Sequence, residues 1–132
     1  MKDNGELRNK PEFFKNIIVI LAKVLKILQL KGVMHRNIKP QNIFLKNEDD
    51  LNSIKLGDFG CSIFIKDNTS DPIGIIFYAA PEIIQNFKYD EKCDLWSLGV
   101  TLYQLYFFNL PYGKNVTNNI IMKAITDPEK KF

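Results

Sequence analysis

Apolar positions in the first quarter of the chain recur at intervals of three and four residues. The positions that share this spacing are Ile17, Leu21, Val24, Leu25 and Leu28, with lysines between them. The spacing predicts an amphipathic helix, because 3.6 residues per turn bring these side chains onto one face. Pro11 is acceptable in a first helical turn and Gly32 is a common stop, so we place the helix at about 11–31.

The rest of the pattern predicts a small hairpin, a long loop and two more helices. Short apolar runs at 42–46 and 54–57 flank a polar turn, as paired strands do. Residues 58–79 contain glycines and a proline but no sustained period, which favours a loop. The run 94–108 is apolar almost all the way round, which predicts a buried helix. A weaker helical pattern covers 117–125, so the predicted fold class is α+β and mostly helical.

Composition and charge limit the classes of function. The 132 residues are 45% hydrophobic and 25% charged, which is ordinary for one globular domain. Eighteen basic and fifteen acidic residues leave a net charge of +3, too small to indicate a nucleic acid or a membrane surface as partner. Lysines interrupt the most apolar stretch, 17–30, so we do not expect it to cross a bilayer. Cys61 and Cys93 lack metal or disulfide spacing, and we expect reduced thiols in an intracellular, cytoplasmic protein.

Four short motifs follow one another along the chain. They are HRNIKPQN at 35–42, DFG at 58–60, APE at 80–82 and DLWSLG at 94–99. In this order they resemble the catalytic loop, the magnesium-binding motif, the end of the activation segment and the central helix of protein kinases. A lone DFG would carry little weight, whereas four motifs in the family's order are specific. The resemblance covers about 5–132 and implies the C-terminal lobe of a serine/threonine protein kinase.

This resemblance also divides the chain. Residues 1–132 would form one partial kinase domain, with a catalytic loop at 33–42, an activation segment at 58–82 and a central helix at about 94–108. Kinases of this family use ATP and Mg²⁺, so both cofactors are implied here. The EKCD sequence at 91–94 and the PYG turn at 111–113 most resemble calcium-dependent and calmodulin-dependent kinases.

The resemblance implies a role for each polar residue of the site. Asn42 and Asp58 match the magnesium ligands, which suits a cation that prefers hard oxygen donors. Lys39 matches the lysine that steadies the transferred phosphate in serine/threonine kinases; in another context it would be a solvated loop lysine. His35 is expected to pack under the DFG phenylalanine, and Asp94 to bond the backbone of the catalytic loop.

Two departures from the family pattern bear on catalysis. The third residue of the catalytic loop, an aspartate that accepts the substrate proton in working kinases, is Asn37. An amide can orient a hydroxyl but cannot take its proton, and losing a general base costs a factor of about 10² to 10⁴ in rate. Ile75 stands where active serine/threonine kinases carry a threonine that bonds both that aspartate and the lysine. Two members of one hydrogen-bonded group are therefore missing together.

No segment of the sequence resembles the glycine-rich loop, the strand lysine or the helical glutamate of a kinase N-terminal lobe. We therefore expect that lobe to be absent and nucleotide binding to be weak. The arginine that pairs with the APE glutamate, Glu82, is expected to be missing as well. An unpaired buried carboxylate is strongly destabilising, unless the site opens to water.

Three functions are compatible with these residues. The first is a pseudokinase-like domain, an impaired phosphotransferase that serves as a binding module for a protein partner. The second is a slow serine/threonine kinase in which a separate N-terminal lobe completes the site. The third is an inactive truncated product.

Overall fold

The computed structural model describes residues 11–47, 50, 53–67, 74–113, 117–127 and 129. Its helices are α1 (Pro11–Leu30), α2 (Pro81–Ile84), α3 (Lys92–Phe107) and α4 (Asn118–Thr126), and its strands are β1 (Val33–Met34), β2 (Ile43–Leu45), β3 (Ile54–Leu56) and β4 (Ile63–Phe64). Single 3-10 turns cover Pro40–Asn42 and Ile65–Asp67. The predicted α+β class, mostly helical with a small hairpin, is confirmed. The first residues of the resemblance, 5–10, and residues 68–73 of the predicted loop lie outside the described residues.

The first helix follows the predicted pattern and bounds. α1 buries Ile17, Leu21 and Leu25 on one face, and these pack with residues of the catalytic loop, β3 and α3. Gly32 ends the helix with a φ of 66°, a left-handed conformation that side chains disfavour, and its N–H donates to the Gln29 carbonyl at 2.9 Å. None of the described helices is both long and apolar enough to cross a bilayer.

Two antiparallel strand pairs hold the two ends of the catalytic loop, since β1 begins it and β2 follows it. β2 and β3 form the predicted hairpin, with Phe44 opposite Lys55. β1 and β4 form a second pair, with Val33 opposite Phe64, which the sequence did not predict. The expected continuous loop over 58–79 is therefore wrong at β4. A strand of two residues cannot display an alternating pattern, so only its distant partner reveals it.

The central helix was predicted at 94–108 and is found at Lys92–Phe107. Phe108 ends it in a left-handed conformation, with its N–H donating to the Gln104 carbonyl at 2.8 Å. The expectation that this helix is buried all round is wrong, because Leu95 is 57% and Phe107 44% exposed. The buried positions are mostly small or polar: Cys93, Asp94, Ser97, Leu98, Val100 and Thr101. Asp94, Leu98 and Thr101 contact the catalytic loop, whereas Val100 packs with Tyr78 and Ile121. The positions that are covered therefore depend on these neighbours and not on aromatic content.

The remaining helices pack against the end of the activation segment. α4 was predicted at 117–125 and is confirmed within one residue at each end. α2 was not predicted, because one turn of helix is too short to show a period; Pro81 occupies its first turn. α2 contacts α4, and its Ile83 lies in one buried cluster with Met34 and Cys93.

Candidate active site

The first turn of α3 holds the backbone of the catalytic loop. The carboxylate of Asp94 is 3% exposed and accepts the N–H of His35 at 2.7 Å and the N–H of Arg36 at 2.8 Å. Burial raises the pKa of the Asp94 carboxyl, and the two amide hydrogen bonds offset part of that rise. Arg36 has a φ of 62°, which non-glycine residues rarely adopt, so these bonds hold a strained turn in place. The expected contact of Asp94 with the loop backbone is confirmed.

The Arg36 side chain links the loop to the start of the activation segment and to the segment between α2 and α3. Its Nε donates to the Cys61 carbonyl at 2.7 Å, and its Nη1 donates to the hydroxyl of the buried Tyr89 at 2.9 Å. Sequence reasoning assigned no role to this arginine or to Tyr89. Nothing in the local pattern around Tyr89 indicates the contact, which depends on tertiary packing.

His35 lies beneath the DFG motif as expected. Its ring meets the Phe59 ring edge-on, with the centroids 4.6 Å apart. Burial lowers the pKa of His35, so the ring is neutral at pH 7, and a single tautomer fits both of its contacts. Nε2–H donates to the Gly57 carbonyl at 3.2 Å, and Nδ1 accepts the N–H of Asn37 at 3.3 Å. The histidine therefore has a structural role, because it joins the catalytic loop to the DFG segment.

Three of the predicted site residues meet at one carboxylate. Asn37 donates from Nδ2 to Oδ2 of Asp58 at 2.8 Å. Asn42 donates from Nδ2 to the Asn37 carbonyl at 2.7 Å and, more weakly, to the same Asp58 oxygen at 3.4 Å. Asp58 is exposed and has a φ of 62°, so the turn after β3 aims its carboxylate toward the loop. The structure thus brings together Asn37, Asn42 and Asp58.

The donor set at this point fits the magnesium ion that the resemblance implies. Both side-chain hydrogen bonds of Asn42 come from its Nδ2, which leaves Oδ1 as the end that can face a cation, next to an exposed carboxylate. Two hard oxygens suffice for Mg²⁺ because it keeps several waters and takes its other ligands from phosphates. Within the described ranges, no group of three or more His, Cys, Asp or Glu residues could hold a metal by itself. A nucleotide would have to complete the coordination.

Lys39 and Ile75 lie at the edge of this cluster. Lys39 is half-buried at the start of the 3-10 turn, and no described residue forms an ion pair or a hydrogen bond with its ammonium. Gly74 passes so close to the loop that a Cβ on it would lie 3.1 Å from the Arg36 carbonyl. Ile75 consequently lines one small cleft with Asn37. The family resemblance implies the same two neighbours, since the threonine that Ile75 replaces bonds the residue at the Asn37 position.

Glu82 of the APE motif is half-buried and opens onto a wide cleft, which it lines together with Lys88, Tyr89, Asp90 and Lys92. Among the described residues, no lysine or arginine forms an ion pair with it. Because the cleft is open, water can solvate the carboxylate. The destabilisation expected of a buried unpaired charge is therefore relieved.

The sequence pattern missed one residue beside the site. Phe44 on β2 is 53% exposed, and its ring packs against Gly57, where an added Cβ would lie 2.9 Å from it. Gly57 immediately precedes Asp58, so an exposed aromatic ring lies next to the segment that carries the Asp58 carboxylate. An aromatic side chain on the outward face of a predicted hairpin is a weak signal for this, since single exposed apolar residues are common.

Comparison with known proteins gives a consistent result. The model of the protein kinase domain family matches residues 4–131. The chain is 38% identical to serine/threonine-protein kinase ATG1a of Arabidopsis thaliana over 89% of its length, and 40% identical to calcium-dependent protein kinase 27 of the same plant over 74%. It is also 41% identical to the putative mitogen-activated protein kinase kinase kinase 7-like of Drosophila melanogaster over 83%. The matches cover only 19%, 20% and 28% of those three proteins.

Proposed function

The chain belongs to the protein kinase domain family, and we propose that it provides a serine/threonine-type site that binds a magnesium nucleotide weakly and transfers phosphate poorly. One observation carries the proposal: Asn37, at the position of the catalytic base, presents its amide nitrogen to Asp58 at 2.8 Å. A general base must instead present a basic acceptor to the substrate hydroxyl.

The chemistry left to Asn37 is orientation without proton transfer. Its Oδ1 can accept a hydrogen bond from a substrate hydroxyl, which helps to position that group. An amide oxygen is not basic enough to take the proton, so we expect a rate lower by a factor of about 10² to 10⁴ than with a carboxylate. Ile75, beside Asn37 in the same cleft, cannot supply a hydroxyl to the group either.

The nucleotide would lie along the face formed by β2, β3 and the catalytic loop. Asp58 and the Oδ1 of Asn42 would hold the magnesium, whose chemistry when bound is to neutralise phosphate charge. Lys39, without an ion-pair partner among the described residues, would face the phosphates, and the exposed Phe44 ring would meet the base. The described residues supply only one face of such a cleft, so we expect weak binding. A Kd of about 1 mM, for example, would stabilise the fold by only about 0.4 kcal/mol at about 1 mM MgATP.

With transfer impaired, the domain would act by binding, and we propose a protein as its partner. A specific observation also favours a second function, a slow kinase that a separate N-terminal lobe completes. Asp94, Arg36 and the contact between His35 and Phe59 hold the catalytic loop and the DFG segment in an ordered arrangement. A site used only as a binding surface has no evident need of that arrangement.

Calorimetric titration of MgATP into the chain, alongside transfer of labelled phosphate to a serine peptide, tests the proposal. We expect weak binding that is lost in Asp58→Ala, and no transfer above background. A matched variant, Asp67→Ala, changes an exposed aspartate away from the site and should bind as the wild type does. Micromolar binding together with transfer at ordinary kinase rates would contradict the proposal.

A further inference from the structure

The Asp58 carboxylate already has three N–H donors around it. Oδ2 accepts from the side-chain nitrogens of Asn37 and Asn42 at 2.8 and 3.4 Å, and Oδ1 accepts from the N–H of Gly60 at 3.3 Å. The bond from Asn37 is the shortest of the three. It must be the nitrogen end of the amide that faces Asp58, because a carboxylate oxygen only accepts and a second oxygen at this distance would repel it.

A hydrogen-bond donor and a metal ion compete for the same carboxylate lone pairs. A carboxylate offers about four of them, and a hydrogen bond to a charged group is stronger than one between neutral groups. The contacts from Asn42 and from the N–H of Gly60 are longer, at 3.4 and 3.3 Å. Asn37 therefore makes the strongest contact that a cation would have to displace from Oδ2 of Asp58.

We propose that Asn37 is an amide lock: its Nδ2 occupies Asp58 and keeps divalent cations off the site until a nucleotide brings its own phosphate ligands. The inference rests on the proposed function, since Asp58 and Asn42 are the magnesium ligands proposed there. In this account Asn37 is a positioning residue for Asp58, in addition to being a missing base. The lock satisfies the carboxylate without metal, so the nucleotide-free fold does not depend on a cation.

Replacing Asn37 separates two ways in which the site can gain cation affinity. Asn37→Ala removes the donor and adds no charge, so it frees a lone pair on Oδ2. Asn37→Asp also removes the donor and places a second carboxylate beside the first, where their repulsion favours a cation between them. With Oδ1 of Asn42, this variant offers three hard oxygens. A lock predicts tighter binding in both variants, whereas a mere shortage of charge predicts it only in the aspartate variant.

The test is a titration of the full chain with Mn²⁺ in the absence of nucleotide, followed by electron paramagnetic resonance of the free ion. We expect no saturation of the wild type at about 1 mM, the weak end of protein sites for divalent cations. Asn37→Ala should bind on the order of tenfold more tightly than the wild type, and Asn37→Asp more tightly still. Asn118→Ala, an exposed change at the start of α4, should bind Mn²⁺ as the wild type does. The double variant Asn37→Asp with Asp58→Asn should lose the gain in Mn²⁺ affinity.

The alanine variant decides the outcome, because it introduces no repulsion that could unfold the chain; circular dichroism in EDTA checks its fold. An Asn37→Ala protein that is folded and binds Mn²⁺ no better than the wild type overturns the lock. So does a wild type that binds Mn²⁺ as tightly as Asn37→Asp. MgATP binding is measured on the same proteins. If it is absent while the Mn²⁺ series behaves as expected, the proposed function fails and the release by nucleotide fails with it, while the exclusion of cations from Asp58 by Asn37 stands.

Discussion

The carboxylate of Asp94 accepts the backbone N–H of His35 at 2.7 Å, although 59 residues separate them in the sequence. Together with the bond from the N–H of Arg36, this contact joins the start of the central helix to a turn with an unfavourable φ. The geometry of the catalytic loop therefore depends on the folding of α3, and the two should be lost together.

Asp94→Ala should destabilise the chain by about 2 to 6 kcal/mol, since one buried and one partly buried N–H group lose their acceptor and each costs about 1 to 3 kcal/mol. Urea denaturation followed by circular dichroism measures the change. Asp67→Ala, an exposed aspartate in a 3-10 turn, should stay within about 0.5 kcal/mol of the wild type. Equal losses in the two variants would show that the buried contact contributes nothing.

His35 should make stability fall as the solution becomes acidic. Burial lowers its pKa below the ordinary 6.5, so below about pH 6.5 the unfolded chain binds a proton that the folded chain does not. Each unit by which the pKa is lowered corresponds to about 1.4 kcal/mol of stability lost at low pH. The raised pKa of Asp94 acts in the opposite direction, since its contribution falls as pH rises above 3.8. Comparison with His35→Gln isolates the histidine, the only one in the chain.

The measurement for His35 is the denaturation midpoint at pH 5.5 and at pH 7.5. When the pH is lowered from 7.5 to 5.5, the wild type should lose more stability than His35→Gln does. An identical pH dependence in both proteins would contradict the neutral buried histidine.

Much of this architecture could be predicted from the sequence, because long elements carry a clear period. α1 and the hairpin of β2 and β3 were placed almost correctly, and the motif order identified the loop that holds Asn37. β1, β4 and α2 were missed because elements of two to four residues are fixed by distant partners, as Val33 is by Phe64. The bond from Asn37 to Asp58 was also missed, since a motif gives the residue type but not the direction of its amide.

Two glycines should respond in opposite directions to the same substitution. A Cβ on Gly32 or on Gly99 would meet no atom within 4 Å, so only backbone conformation separates them. Gly32 has a φ of 66°, and Gly32→Ala should cost about 1 kcal/mol or more. Gly99 lies inside α3, and Gly99→Ala should stabilise the chain by about 0.5 to 1 kcal/mol. Denaturation midpoints that shift in the same direction would contradict this.

Asn37→Asp alone should not turn this chain into a kinase. A general base helps only when the hydroxyl and the γ-phosphate are already held close and in line, and such positioning contributes about 7 to 11 kcal/mol. The described residues provide one side of the cleft, and they do not supply the positioning that depends on its other side. Phosphate transfer to a serine peptide by Asn37→Asp should therefore stay at background. Substantial transfer would show that one face of the cleft is sufficient.

The central claim is that Asn37, together with Ile75, limits catalysis in a site whose loop is otherwise held in order. Phosphate transfer by four proteins tests it most directly: the wild type, Asn37→Asp, Ile75→Thr and the double variant, each joined to a kinase N-terminal lobe and the helices that follow this region. Because both side chains line the same cleft, the double variant should exceed the sum of the singles, and it should exceed the wild type by about 10² or more. A joined wild type as active as the double variant would contradict the claim.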